Sequence, residues 1–126
     1  MSNVKVSLTT VVARYQETDR MGIIHHSVYP VWFEVGRTDL IKEFGLTYSQ
    51  MEAEGLLLPL IGLECSYKQF AVYEDKLVIR SCIDSISRTR ISFFYEAIRE
   101  YSSKPTLIAT GKTHHIFANT ALRPLN

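Results

Sequence analysis

A single α+β domain is the fold class this sequence predicts, and three observations carry that expectation. The N-terminal residues alternate apolar and polar with a period of two. The stretch from Val31 to Phe44 places its apolar residues mostly at helical spacings. After Gly55 the period returns to two and stays there to Phe117. One strand, one long helix and a series of strands with short breaks imply a largely antiparallel sheet carrying the helix on one face.

Taken in order, Val4, Val6 and Leu8 alternate with Lys5, Ser7 and Thr9, and residues 11–13 continue this first strand. Residues 15–29 have no clean period and should form a structured loop. Pro30 suits the first turn of a helix, where its missing N–H would be unpaired anyway. Trp32, Val35, Leu40, Ile41 and Phe44 supply the apolar face, and Gly45 is placed to end the helix in the left-handed conformation. Gly36 costs this helix roughly 1 kcal/mol against alanine, which favours a close approach of another backbone at that point. Thr47 and Gln50 have capping-box spacing, with Leu46 and Met51 as a hydrophobic staple, so a short second helix is expected over 48–54, stopped by Gly55. Four strand-like segments follow at 57–70, 76–87, 90–101 and 106–117. Their breaks at 73–75, 87–89 and 102–105 are short enough for hairpins or tight bends. Apolar residues occupy both strand registers (Ile91, Phe93 and Tyr95 against Phe94 and Ile98), so more than one sheet face should be covered, most cheaply by self-association.

A chain of 126 residues is one domain, residues 1–126, with room for a real core. Its net charge of +1 argues against nucleic acid as the main partner. The N-terminus lacks the apolar run of a signal peptide, and no apolar stretch approaches the ~20 residues that span a bilayer, so a cytoplasmic protein without a membrane span is expected. Cys65 and Cys82 fall in strand-like runs and read as reduced, buried thiols. The pairs His25-His26 and His114-His115 invite a metal, but adjacent side chains of an extended segment point to opposite faces, and no HxH or HxxxH spacing occurs. No metal site is expected. No GxSxG elbow supports a serine triad.

Chemistry concentrates between Tyr15 and Arg37. Asp19 lies in a polar segment just upstream of the helix start. A carboxylate there can attack a carbonyl or activate water, and free N–H groups at the helix start can hold the oxyanion that forms. On spacing alone Asp19 equally suits a turn or an N-cap. His26 can act through its backbone N–H or its imidazole, or be a solvated loop residue. Glu34 and Arg37, three apart, are expected to pair on the helix. Arg88 and Arg90 flank a bend and are either solvated or phosphate-binding.

The order of elements, together with Tyr15-x-x-Thr18-Asp19-x-x-Gly22, His26, Tyr29 and Glu34 to Arg37, resembles the hotdog fold, and within it the acyl-CoA thioesterases of the 4-hydroxybenzoyl-CoA thioesterase type. Weaker matches are Tyr73-Glu74-Asp75-x-Leu77, the bend at 87–92, and Ala109-Thr110-Gly111. The resemblance implies a five-stranded antiparallel sheet wrapped around a long central helix. It implies hydrolysis of an acyl-CoA to free acid and coenzyme A, with Asp19 as the catalytic carboxylate, either nucleophile or general base. It assigns the His26 N–H to the thioester carbonyl, Gly22 and Tyr29 to substrate binding, and Arg88 and Arg90 to the phosphates of coenzyme A. No cofactor is implied beyond the coenzyme A of the substrate, and the assembly implied is a homodimer or homotetramer with sites between subunits. Three positions depart from the usual pattern: His25 replaces an aromatic, Val28 an asparagine, and Phe70 the proline of a Pro-Ala pair. A hotdog hydratase or dehydratase and a non-catalytic acyl-thioester-binding module are the alternative readings of the same fold.

Overall fold

The computed structural model describes residues 5–45, 47–100 and 104–125, and the backbone alone of Tyr48. Val4, Leu46 and residues 101–103, which entered the strand, staple and bend expectations, lie outside the described residues. The elements run β1 (Val6–Val12), a short 3-10 turn (Tyr15–Glu17), α1 (Val28–Glu43), α2 (Tyr48–Ala53), β2 (Leu60–Tyr67), β3 (Lys76–Ile86), β4 (Arg90–Arg99) and β5 (Thr106–Ile116). All four strand pairings are antiparallel, in the order β1-β3-β4-β5-β2. The α+β architecture of the sequence reading is therefore the one observed.

Strand order departs from the expectation of successive hairpins. The bends at 87–89 and beyond β4 do join neighbouring strands, but β2 and β3 are not neighbours: β2 lies at the edge against β5. The eight residues 68–75 are long enough to cross the ends of the intervening strands. Lys68 and Gln69 still donate to Ile108 O of β5, and beyond them the backbone bonds to residues 13 and 24 instead of to a facing strand. The turn chemistry at 73–75 is real, with Glu74 at φ 73° and the Asp75 N–H donating to Val72 O, but it introduces β3 and closes no hairpin. β2 is also shorter than the expected 57–70, because Leu57 pairs only in an isolated bridge with Ala118.

α1 starts at Val28, so Pro30 sits third in the helix, still within the first turn where its missing N–H is harmless. Tyr29, Trp32, Phe33, Gly36, Leu40 and Ile41 form its buried face. Each large side chain so buried contributes roughly 1.5–3 kcal/mol. Phe33 stacks on Tyr95 of β4, with ring centroids 4.7 Å apart and planes at 9°. At Gly36 the close neighbours are side chains of β3, not a backbone: a Cβ there would stand 2.9 Å from Ile79 Cγ2 and closer still to Ser81 Oγ. Gly45 has φ +87° and ends α1 as expected. The capping box of α2 is closed in both directions, Thr47 N to Gln50 Oε1 at 2.8 Å and Gln50 N to Thr47 Oγ1 at 3.1 Å.

The expected Glu34–Arg37 ion pair does not occur among the described residues. Glu34 is exposed, and Arg37 turns inward to a line of buried polar groups that outcompetes a solvated carboxylate. The Arg37 Nη1–H donates to the Tyr95 hydroxyl (3.0 Å), which lies 2.6 Å from Thr113 Oγ1. Thr113 Oγ1 in turn is 2.9 Å from His115 Nε2, and His115 Nδ1–H donates to Leu58 O at 3.0 Å. Since a carbonyl only accepts, Nδ1 carries the proton and Nε2 accepts, which fixes the neutral tautomer. Burial pushes the His115 pKa down from 6.5 to about 4; the nearby Arg37 charge adds to the shift, and the bond to Leu58 opposes it.

A folded state that disfavours the charged imidazole binds fewer protons than the unfolded chain between those values. The stabilisation is complete above pH 6.5 and is lost as pH falls toward 4, by up to about 3 kcal/mol. Thermal unfolding of the wild type and His115→Gln across this window should show it. The wild-type Tm falls on acidification more steeply than that of the variant; parallel curves would refute the assignment.

Cys65 and Cys82 are free thiols, half-buried and not fully buried as expected, and burial raises both pKa values. Both lie on strands where one side of the residue meets solvent. No helix among the described residues is long and apolar enough to cross a membrane.

Candidate active site

The loop preceding α1 folds back on itself. Thr18 and Ile24 form an isolated bridge, and the Asp19 N–H donates to Ile23 O at 2.8 Å. The Gly22 N–H returns to Asp19 O at 3.0 Å, and Gly22 has φ +82°. A side chain at Gly22 would meet nothing within 4 Å, so the left-handed backbone, and not crowding, calls for glycine there. One carboxylate oxygen of Asp19, Oδ1, accepts the Met21 N–H at 2.8 Å. The turn role and the reactive role of Asp19 are thus compatible: one oxygen holds the turn while the group stays half-buried at a cavity.

That cavity holds about 180 Å³ and is lined by Asp19, His26, Tyr29, Tyr67, Gln69 and Phe70 among others. His26 lies two residues before the start of α1, so its backbone amide stands at the positive end of the helix. No hydrogen bond among the described residues uses the His26 N–H, whereas its carbonyl accepts the Tyr67 hydroxyl at 3.0 Å. Its imidazole is exposed and stacks on His25, with centroids 4.1 Å apart. His25 Nδ1 accepts the Ser27 N–H at 3.1 Å, bracing the residue that precedes the helix. Tyr29 is buried and meets Tyr67 and Trp32 edge-on at 5.5 and 5.2 Å. Burial chiefly pushes its hydroxyl pKa up to about 12, so it stays neutral and can only donate or accept a hydrogen bond.

Asp19, His26 and Tyr29 are therefore brought together, with Gly22 in the same loop. Arg88 and Arg90 are not. They flank the β3–β4 hairpin, where the Ser87 N–H donates to Arg90 O, whereas the Asp19 loop touches Val72 at the opposite end of β3. Ten strand steps between those ends amount to about 33 Å. Tyr67 and Gln69 had no local signal in the sequence, because their place at the cavity comes from the end of β2 and the crossing that follows it, whereas Phe70 stood out only as a departure from the Pro-Ala pattern. His114 and His115 point to opposite sides of β5 as expected: His114 Nε2 is 2.6 Å from Glu64 Oε2 on the outer side, and His115 faces the core. Among the described residues no group of three His, Cys, Asp or Glu side chains is placed to hold a metal ion.

A profile of the thioesterase-like superfamily matches residues 13–125, nearly the whole chain. The chain belongs to the thioesterase-like superfamily. Within that superfamily it is similar to YneP of Bacillus subtilis, which carries the name of a candidate acyl-CoA thioesterase: 41% identity over 90 residues, covering 71% of this chain and 65% of that protein. The chain thus matches just under two thirds of that relative's length. Among solved structures it is similar to a DHNA-CoA thioesterase from Staphylococcus aureus, with a TM-score of 0.88, 36% identity, and coverage of 96% of this chain and 80% of the other. The 4-hydroxybenzoyl-CoA thioesterase from a Pseudomonas strain aligns with a TM-score of 0.84 at 20% identity, covering 96% of this chain and 92% of that one, a likeness of fold. The superfamily member described here has the hotdog arrangement, one long helix against a five-stranded antiparallel sheet.

Proposed function

We propose that this chain hydrolyses acyl-CoA thioesters to free acid and coenzyme A. One observation carries the reading: Asp19 and His26 line a single cavity beside the N-terminus of α1, in a member of the thioesterase-like superfamily. In this reading the thioester oxygen accepts the His26 N–H, and negative charge that develops on it meets the positive end of the helix. Asp19 then either attacks the carbonyl carbon, giving an acyl-Asp19 anhydride that water opens, or takes a proton from the attacking water. Either route expels coenzyme A as a thiolate, a good leaving group that needs little acid assistance. Coenzyme A enters as part of the substrate, and no cofactor is required.

The working unit in this reading is at least a homodimer. β2 is an edge strand whose Leu60, Ile61, Leu63 and Tyr67 are exposed, a row of apolar side chains with an unpaired backbone beside it. Antiparallel pairing of β2 with the β2 of a second copy reverses strand direction across the joint. The hairpin end of that copy then lies at the Asp19 end of the first. Three strand spacings, about 15 Å, separate Tyr67 from the neighbouring copy's β4. Arg88 and Arg90 of the second copy are then placed for the coenzyme A phosphates that their own Asp19 cannot share.

Release of free coenzyme A from acyl-CoAs of graded chain length, and from one aromatic acyl-CoA, tests the activity; no turnover of any of them would reject it. The phosphate role makes a separate prediction. Arg88→Ala with Arg90→Ala should raise KM for acyl-CoA about 10-fold, as expected for loss of one or two charge-assisted contacts, while leaving hydrolysis of the matching acyl-pantetheine unchanged. Equal effects on both substrates would refute it.

A further inference from the structure

We infer that Arg99, acting with Asp75, is a positioning residue for Asp19; the inference rests on the catalytic reading of Asp19 given above. Asp75 is 2% exposed, and a carboxylate so deeply buried needs its oxygens supplied with donors. Its Oδ2 accepts the Val72 N–H at 2.9 Å and Arg99 Nη1 at 3.1 Å. The left-handed backbone of Glu74 makes the turn tight enough for Asp75 to reach back to Val72. The same Arg99 Nη1 also donates to Phe70 O at 2.8 Å. The pair therefore grips both ends of the three residues Phe70, Ala71 and Val72.

Those three residues are what the Asp19 loop leans on. The Ile24 N–H donates to Ala71 O at 2.8 Å, and Ile23 bridges Val72. The carbonyl of Ile23 takes the Asp19 N–H at 2.8 Å. A bonded path thus runs from the guanidinium through Phe70–Val72 and Ile23–Ile24 to the backbone of Asp19. Phe70 itself walls the cavity that Asp19 faces. Arg99 is the last residue of β4, paired with Thr106 of β5, so it ties the Asp19 loop to the sheet. A carboxylate displaced by about 1 Å from its attack geometry can lose about 100-fold in rate with little change in binding.

Arg99→Met keeps the side-chain stem and removes the donors. The expected result is a kcat about 10- to 100-fold lower with KM within about twofold of wild type, and partial recovery in Arg99→Lys. Hydrogen exchange should quicken at the Asp19 and Ile24 amides while β4 and β5 amides keep their protection. In an Asp19→Asn background the same substitution should cost almost nothing further, because Arg99 works through the group already lost. A folded Arg99→Met protein with wild-type kcat, or with unchanged exchange at Asp19 and Ile24, would overturn the inference. So would full multiplication of the two kinetic losses. Failure of the functional reading looks different: wild-type protein turns over no acyl-CoA, and the exchange measurement alone then decides whether the brace holds the loop.

Discussion

Asp19→Asn should leave the fold, assembly and Tm intact and reduce acyl-CoA hydrolysis at least about 100-fold, the lower end of what a positioned acid–base group contributes. The substitution is chosen for what it preserves. An asparagine Oδ1 accepts the Met21 N–H as the carboxylate does, so the turn that presents residue 19 survives. What disappears is the negative charge and with it both the nucleophile and the base. Saturating release of free coenzyme A, measured beside a thermal melt, separates the two effects. A variant that keeps more than about a tenth of wild-type kcat would remove Asp19 from the chemistry.

Gly111→Ala should destabilise the protein by about 2–3 kcal/mol or prevent folding. A Cβ at this β5 position would stand 2.9 Å from Phe33 Cδ2 and 3.0 Å from Cζ, with Cε2 closer still. Flexible side chains can yield to such a contact, but this ring cannot. Phe33 is fully buried and lies flat on Tyr95, so either the stack opens or α1 lifts from the sheet. The modest gain from replacing a strand glycine does not offset that. Denaturant unfolding gives the number directly; a midpoint equal to wild type would show that the helix-to-sheet spacing is more forgiving than the packing implies.

Features decided within a few residues were legible in the sequence. The Thr47–Gln50 capping box and the left-handed Gly45 depend on near neighbours and stand where expected, and Gly36 is crowded, though by side chains of β3 where a backbone was expected. Strand order was not legible, because a period of two says which face a residue takes and nothing about which strand lies beside it. Nothing near residue 60 announces that β2 will cross to the far side of β5. The same holds within the site. Asp19 and His26 share a short motif, but Tyr67 reaches the His26 carbonyl from 41 positions away, and a tyrosine in a strand reads only as packing. Arg37 shows the opposite failure: its helical spacing to Glu34 suggested a local partner, and a buried tyrosine hydroxyl on β4 holds it instead.

The pairing of β1 with β3 has a consequence during synthesis. Val6 lies opposite Cys82, so the first strand is made 82 − 6 = 76 residues before its only neighbour among the described strands. At about 5–20 residues per second, β1 waits between roughly 4 and 15 s for that neighbour, and the exit tunnel delays both strands alike. Through that interval the nascent chain carries an unpaired strand bearing Val6, Leu8 and Val12 on one side. These residues stay exposed after folding too, at 40%, 64% and 55%. Until β3 emerges, the strand that ends as one border of the sheet is open to wrong partners.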